Sequence, residues 1–159
     1  MKAKSNPIVT PINDFLDTLR VTHANPRPSW DQVWMETATV ISKRSVDPRF
    51  QVGTVIVTHD NTQVLSVGYN GDHKGGSNKV ESYEPGQSGF VHAEVNALIK
   101  CDYNHPKAKK MYLTLSPCRQ CAKLIINGGI SEVIYSEEYR DVSGIKLLNE
   151  VGIITRQYR

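Results

Sequence analysis

Apolar residues follow two rhythms along this chain, a helical one and short β-branched runs, and the two alternate. Behind Ser29, a residue type that caps helix N-termini, Trp30, Val33, Trp34, Thr37, Ala38 and Ile41 fall at helical spacing. Lys43-Arg44-Ser45 closes that segment with the charge that suits a helix carboxyl end. Val52–Thr58 is a β-branched run, His59-Asp60-Asn61-Thr62 turns the chain, and Gln63–Gly68 returns, which predicts a hairpin. Tyr69–Phe90 has no periodicity and is rich in Gly, Ser and Asn. Loops beyond ~12–15 residues in a compact domain are generally functional or mobile.

The helical rhythm resumes in VHAEVNALIK (91–100), where Val91, Val95, Leu98 and Ile99 form an apolar stripe. Lys110–Leu115 reads as a strand stopped by Ser116-Pro117, and Cys118–Asn127 as a helix ended by Gly128-Gly129. Ser131–Ser136 is a strand, Val142–Glu150 a helix and Gly152–Thr155 a last short strand. The order α-β-β-α-β-α-β-α-β predicts an α/β fold: a central mixed five-stranded sheet with helices on both faces, in a three-layer α/β/α sandwich.

Composition narrows this further. A chain of 159 residues suits one domain with a real core, and 39% hydrophobic with 22% charged residues is the make-up of a soluble globular protein. Residues 1–28 hold four of the eight prolines (Pro7, Pro11, Pro26 and Pro28) and read as an N-terminal arm packed on a domain of residues 29–159. Thr10 and Pro11 suit the start of a short helix in that arm, with Phe15, Leu16 and Leu19 on one face. A formal charge of +3 is too weak to predict a nucleic-acid partner. No apolar run approaches the ~20 residues that span a bilayer, so no membrane partner is expected. The first residues, MKAKSNPIVTPIND, lack the continuous apolar stretch of a secretory leader, which predicts a cytoplasmic location. Three cysteines, Cys101, Cys118 and Cys121, do not make a disulfide framework.

The chemistry is concentrated where two helices begin. His92 and Glu94 lie two residues apart in an otherwise apolar stretch, and a buried carboxylate is costly unless a charge or donor answers it. Cys118-Arg119-Gln120-Cys121 follows Pro117 at a strand-to-helix junction, where free N–H groups and the helix dipole favour thiolates. By itself C-x-x-C fits a redox pair, part of a structural zinc site or part of a catalytic one. A closed structural site needs a fourth ligand, for which Cys101, His73 and His105 are available, but it leaves Glu94 unexplained. A redox pair has no use for His92 and Glu94. With His92, Cys118 and Cys121 as three ligands, an open fourth position would take water, and Glu94 would reach that water without being a ligand. Cys101 is most simply a small packed side chain, and His23, His59, His73 and His105 lie in turns and loops.

His92-Ala93-Glu94 followed by Pro117-Cys118-Arg119-Gln120-Cys121 is the H-x-E and P-C-x-x-C signature of zinc deaminases. The chain resembles the cytidine deaminase superfamily over roughly Ser29 to Arg156, and within it the deoxycytidylate (dCMP) deaminases. Beyond the zinc motifs, the likeness is carried by Ile41–Ser45 (ISKRS), Arg49–Val57 (RFQVGTVIV), Gly68–Gly71 (GYNG) and Tyr139-Arg140. The resemblance implies a cytidine deaminase-like fold, one catalytic Zn2+ per subunit, and hydrolysis of dCMP to dUMP and ammonia with Glu94 shuttling the proton. It implies that the Ala93 N–H holds the base carbonyl, that Asn70 contacts the sugar, and that Arg49, Tyr139 and Arg140 hold the 5′-phosphate. It also implies dCTP and dTTP as effectors, with Lys74, Gly75 and Gly76 as a loose match to their site, and a homo-oligomer, commonly a hexamer. No second zinc is expected, since the loop before His92 has His73 and no cysteine. The alternatives are another deaminase on this scaffold, acting on a nucleoside, a riboflavin intermediate or tRNA adenosine, or a non-catalytic zinc-stabilised module.

Overall fold

The computed structural model describes residues 27–84 and 86–159. The helix expected behind Thr10, and His23, lie outside the described residues. The element order is α1 (Trp30–Ser42), β1 (Gly53–Thr58), β2 (Val64–Tyr69), α2 (Ala93–Leu98), β3 (Lys109–Leu115), α3 (Arg119–Asn127), β4 (Ile130–Glu137), α4 (Ser143–Glu150) and β5 (Ile154–Gln157). Ser29 caps α1 as its residue type predicts, its Oγ accepting from the Gln32 N–H at 3.1 Å.

The five strands form one sheet in the order β2-β1-β3-β4-β5. β1 is antiparallel to both β2 and β3, whereas β3, β4 and β5 run parallel, so the sheet is mixed as expected. The two-residue period of the strands sorts the core into two layers. Val55, Val57, Tyr112 and Ile134 meet Met35 and Ala38 of α1 on one face. Ile56, Met111, Leu113, Val133 and Tyr135 meet Ala97, Ala122, Ile125 and Leu148, from the other three helices, on the opposite face. No described helix is long and apolar enough to cross a membrane.

Two local readings are corrected. Val91 is not on a helical stripe: it pairs with Gly71 in an isolated antiparallel bridge, and Ile99 is 73% exposed. The buried residues of α2 are instead Ala93, Glu94 and Ala97. The cause is close packing, because a Cβ on Gly68 of β2 would lie 2.2 Å from Ala93 O and 2.6 Å from Ala97 N. Only small side chains fit a helix lying that near a strand. The last strand starts at Ile154 rather than Gly152. Gly152 adopts φ +83°, and the N–H groups of Gly152 and Ile153 return to Asn149 O and Leu148 O, so residues 151–153 finish the helix instead.

Candidate active site

Two helix N-termini converge beyond the carboxyl end of β3. Pro117 cannot donate to a strand ladder, and Cys118 then takes extended dihedrals as the N-cap of α3, its Sγ accepting from the Cys121 N–H at 3.5 Å. Cys121 lies in the first turn and is buried. A Cβ on Gly144, beside the start of α4, would fall 2.1 Å from Pro117 O, so the turn carrying Cys118 is braced from behind. His92 is the N-cap of α2 but makes no side-chain capping bond, which leaves its ring for the thiols. His92 Nδ1 lies 3.3 Å from Cys121 Sγ and 3.7 Å from Cys118 Sγ.

These three residues suit zinc on chemistry and on spacing. Bonds of ~2.3 Å to sulfur and ~2.0 Å to nitrogen at tetrahedral angles separate S from N by about 3.5 Å, which the two observed distances bracket. The ligand atoms of His92, Cys118 and Cys121 all lie within 4.8 Å of one another, and among the described residues no fourth His, Cys, Asp or Glu joins them. Three ligands without a fourth is the pattern of an open site rather than a closed structural one. Cys101 packs beside the larger core layer, and His73 pairs with Asp72 at 2.7 Å on the exposed loop, so neither completes the cluster.

Without a cation, the thiols share a proton. A hydrogen bond from Cys121, aided by His92, holds the Cys118 thiol down to about 4, while the same partnership pushes Cys121 far up. Hydrogen bonding to Cys118 raises His92 in turn. A metal ion replaces that proton with charge, and binding therefore releases it. Glu94, 4% exposed, is not a member of the cluster, and burial pushes its carboxyl above the usual range.

One cavity joins this cluster to the rest of the candidates. His92, Ala93, Glu94 and Cys118 line one part of it, and Arg49, Asn70, Tyr139 and Arg140 also line it, with Phe50, Val52, Phe90 and Leu115 as apolar wall. Every site residue read from the sequence borders this cavity except Cys121, which is buried behind Cys118. Ser116 fastens the Tyr139 end to β3: its N–H donates to Glu137 O and its Oγ accepts from the Tyr139 N–H, both at 2.8 Å. The Arg140 guanidinium stacks over the Tyr139 ring with its carbon 5.5 Å from the ring centre. The Arg49 guanidinium donates to the carbonyls of Ser82, Tyr83 and Glu84, anchoring the long loop, and its buried Nε has no hydrogen-bond partner.

Sequence reasoning passed over two residues. Ser116 read only as a strand stop. Asp47 read as nothing, although Asp before Pro48 is a turn signal. In the structure Asp47 Oδ1 accepts from the N–H groups of Arg49 and Phe50, at 2.8 and 3.2 Å, and its carboxylate borders the cavity.

Comparison with known proteins agrees with this geometry. Residues 28–137 match the family described as the cytidine and deoxycytidylate deaminase zinc-binding region. The chain is 36% identical to the human deoxycytidylate deaminase over 146 residues, covering 81% of this chain and 79% of that one. It is 36% identical to a probable deoxycytidylate deaminase of Drosophila melanogaster over 142 residues, covering 78% and 70%. Among solved structures it resembles the dCMP deaminase of cyanophage S-TIM5, crystallised with dCMP and dUMP, at 31% identity and a TM-score of 0.72, covering 83% of this chain and 98% of that one. A family match across most of the chain, relatives of near-equal length and a shared fold lead to one conclusion: this protein belongs to the cytidine and deoxycytidylate deaminase family and is a zinc-dependent enzyme.

Proposed function

We propose that this protein hydrolyses dCMP to dUMP and ammonia, with residues 29–159 forming the deaminase domain and His92, Cys118 and Cys121 holding zinc. The observation that carries this reading is a buried carboxylate, Glu94, beside a three-ligand cluster in the same cavity as two arginines and a tyrosine. When bound, zinc supplies the Lewis acidity that makes water nucleophilic near neutral pH. Glu94 takes the proton from the attacking water and passes it to ring N3. The remaining hydroxyl oxygen bonds to C4, Glu94 takes the second proton from that oxygen and delivers it to the amine, and the C4–N4 bond breaks to release ammonia as the C4 carbonyl forms. The Ala93 N–H, in the first turn of α2, donates to the base carbonyl. Arg49, Tyr139 and Arg140 receive the 5′-phosphate, for which guanidinium forks and a phenol hydroxyl are suited donors. Asn70 belongs to the wall that meets the sugar.

The family likeness further supports regulation by dCTP and dTTP, assembly into a homo-oligomer, and a cytoplasmic setting in which the three unpaired cysteines stay reduced. A separate groove bordered by Arg44, Lys74 and Lys100 has the charge for a nucleotide phosphate. Activity measured against rising dCTP and dTTP, and sedimentation of the purified protein, test these two points.

The deciding experiment for the reaction is a side-by-side assay of dCMP, deoxycytidine, CMP and dCTP. The expected result is a kcat/KM for dCMP at least about a hundredfold above that for deoxycytidine, since charge-assisted bonds to phosphate are each worth ~1.5–3 kcal/mol. Equal turnover of dCMP and deoxycytidine removes the phosphate assignment.

A further inference from the structure

Asp47 is 6% exposed, yet it borders the active cavity. Its Oδ1 serves the turn, taking the N–H groups of Arg49 and Phe50. Its Oδ2 accepts only from Asn70 Nδ2, across a long 3.3 Å. Among the described residues no Lys, Arg or His lies within ion-pair distance of it. A carboxylate offers about four acceptor sites, and the protein fills three of them, one weakly. Burying such a group without a counter-charge is costly unless donors satisfy it. The unfilled capacity lies at the cavity wall, where a ligand would supply the missing donor.

The chemistry of the group selects what that donor is. An acceptor-only anion repels a phosphate and attracts a neutral hydroxyl. On the nucleotide proposed above, the phosphate goes to the arginines and the reacting edge of the base to Glu94, which leaves the sugar hydroxyl. Asn70 has no donor left for it: its two amide hydrogens go to Phe50 O at 2.8 Å and to Asp47, and its Oδ1 accepts from the Val52 N–H at 2.8 Å. We propose that Asp47 is a specificity-determining residue whose carboxylate accepts a hydrogen bond from the 3′-hydroxyl of the bound nucleotide, with Asn70 positioning that carboxylate. This rests on the dCMP reading.

The test compares dCMP with 2′,3′-dideoxycytidine monophosphate on the zinc-loaded wild-type protein, Asp47→Asn and Asp47→Ala. Binding of dUMP and 2′,3′-dideoxy-dUMP, by calorimetry, gives a readout apart from turnover. Asp47→Asn keeps an oxygen for the Arg49 and Phe50 N–H groups and so preserves the turn. Taking the ratio of the two substrates within each variant cancels any general damage. Wild type is expected to prefer the hydroxylated nucleotide by about tenfold to a hundredfold, the range for a hydrogen bond to a charged group. That preference should fall to within about threefold of unity in both variants, in kcat/KM and in Kd. If wild type turns over dCMP but both variants keep its full preference, Asp47 is a turn residue only and the assignment is overturned. Absence of dCMP turnover by the wild type overturns this assignment together with the reaction on which it rests.

Discussion

Glu94 and Gln differ by one heavy atom, so their exchange isolates proton transfer from packing. Glu94→Gln should leave zinc content, read by elemental analysis, and the melting temperature near wild type, while kcat falls by about 10²–10⁴-fold, the usual worth of a positioned acid–base. A variant that stays active removes the proton-shuttle role. The ligands should behave differently. Cys118→Ser should lower the zinc stoichiometry well below one, whereas Cys101→Ser, remote from the cluster, should leave it intact. Both sets of candidates were legible in the chain because H-x-E and C-x-x-C are short motifs, each at the start of a helix, although His92 meets the cysteines 26 and 29 residues further on only in the folded chain. Asp47 and Ser116 were not. Each acts through a partner 23 residues away, Asn70 and Tyr139, and no local pattern encodes that meeting.

At the scale of elements, boundaries were legible wherever a stop signal is chemical, as at Ser29, Pro117 and Gly128. They slipped where tertiary packing intervened, as in α2, where the residues against β2, Ala93 and Ala97, are small because the strand runs so close to the helix. Gly68 is the contact that sets this distance, and its Cβ would meet backbone rather than a movable side chain. Gly68→Ala should therefore cost at least about 1–3 kcal/mol of stability, as overpacking does. Because α2 carries His92 at its cap, zinc affinity should fall with it. Urea titration and competition for zinc with a chromophoric chelator measure the two effects. Unchanged stability would show that α2 has room to shift.

Across the whole molecule, the side of the sheet facing α1 is tied by a polar network that joins distant parts of the chain. Tyr112 of β3 donates to Asp31 of α1 at 2.7 Å, and Arg156 of β5 pairs with Asp31 and with Glu132 of β4, each at 2.8 Å. Burial, reinforced by the bond to Asp31, pushes the Tyr112 hydroxyl above its ordinary value of ~10. The unfolded chain then loses that proton before the folded one does, so it binds fewer protons above pH ~10. Stability from Tyr112 is thus complete below pH ~10 and declines as pH rises beyond it. Urea midpoints from pH 8 to 12 should show this fall, and Tyr112→Phe should flatten it while costing about 1 kcal/mol at neutral pH. An unchanged slope in that variant would rule the mechanism out. The element order, the mixed sheet and the identity of the candidate zinc ligands and carboxylate follow from the order of residues alone, because periodicity, helix-end chemistry and short motifs act over a few positions. Which loops come together around the cavity, which face of α2 is buried, and how Asp47 meets Asn70 were decided only by the tertiary structure, since those contacts depend on how the folded layers bring distant residues within reach.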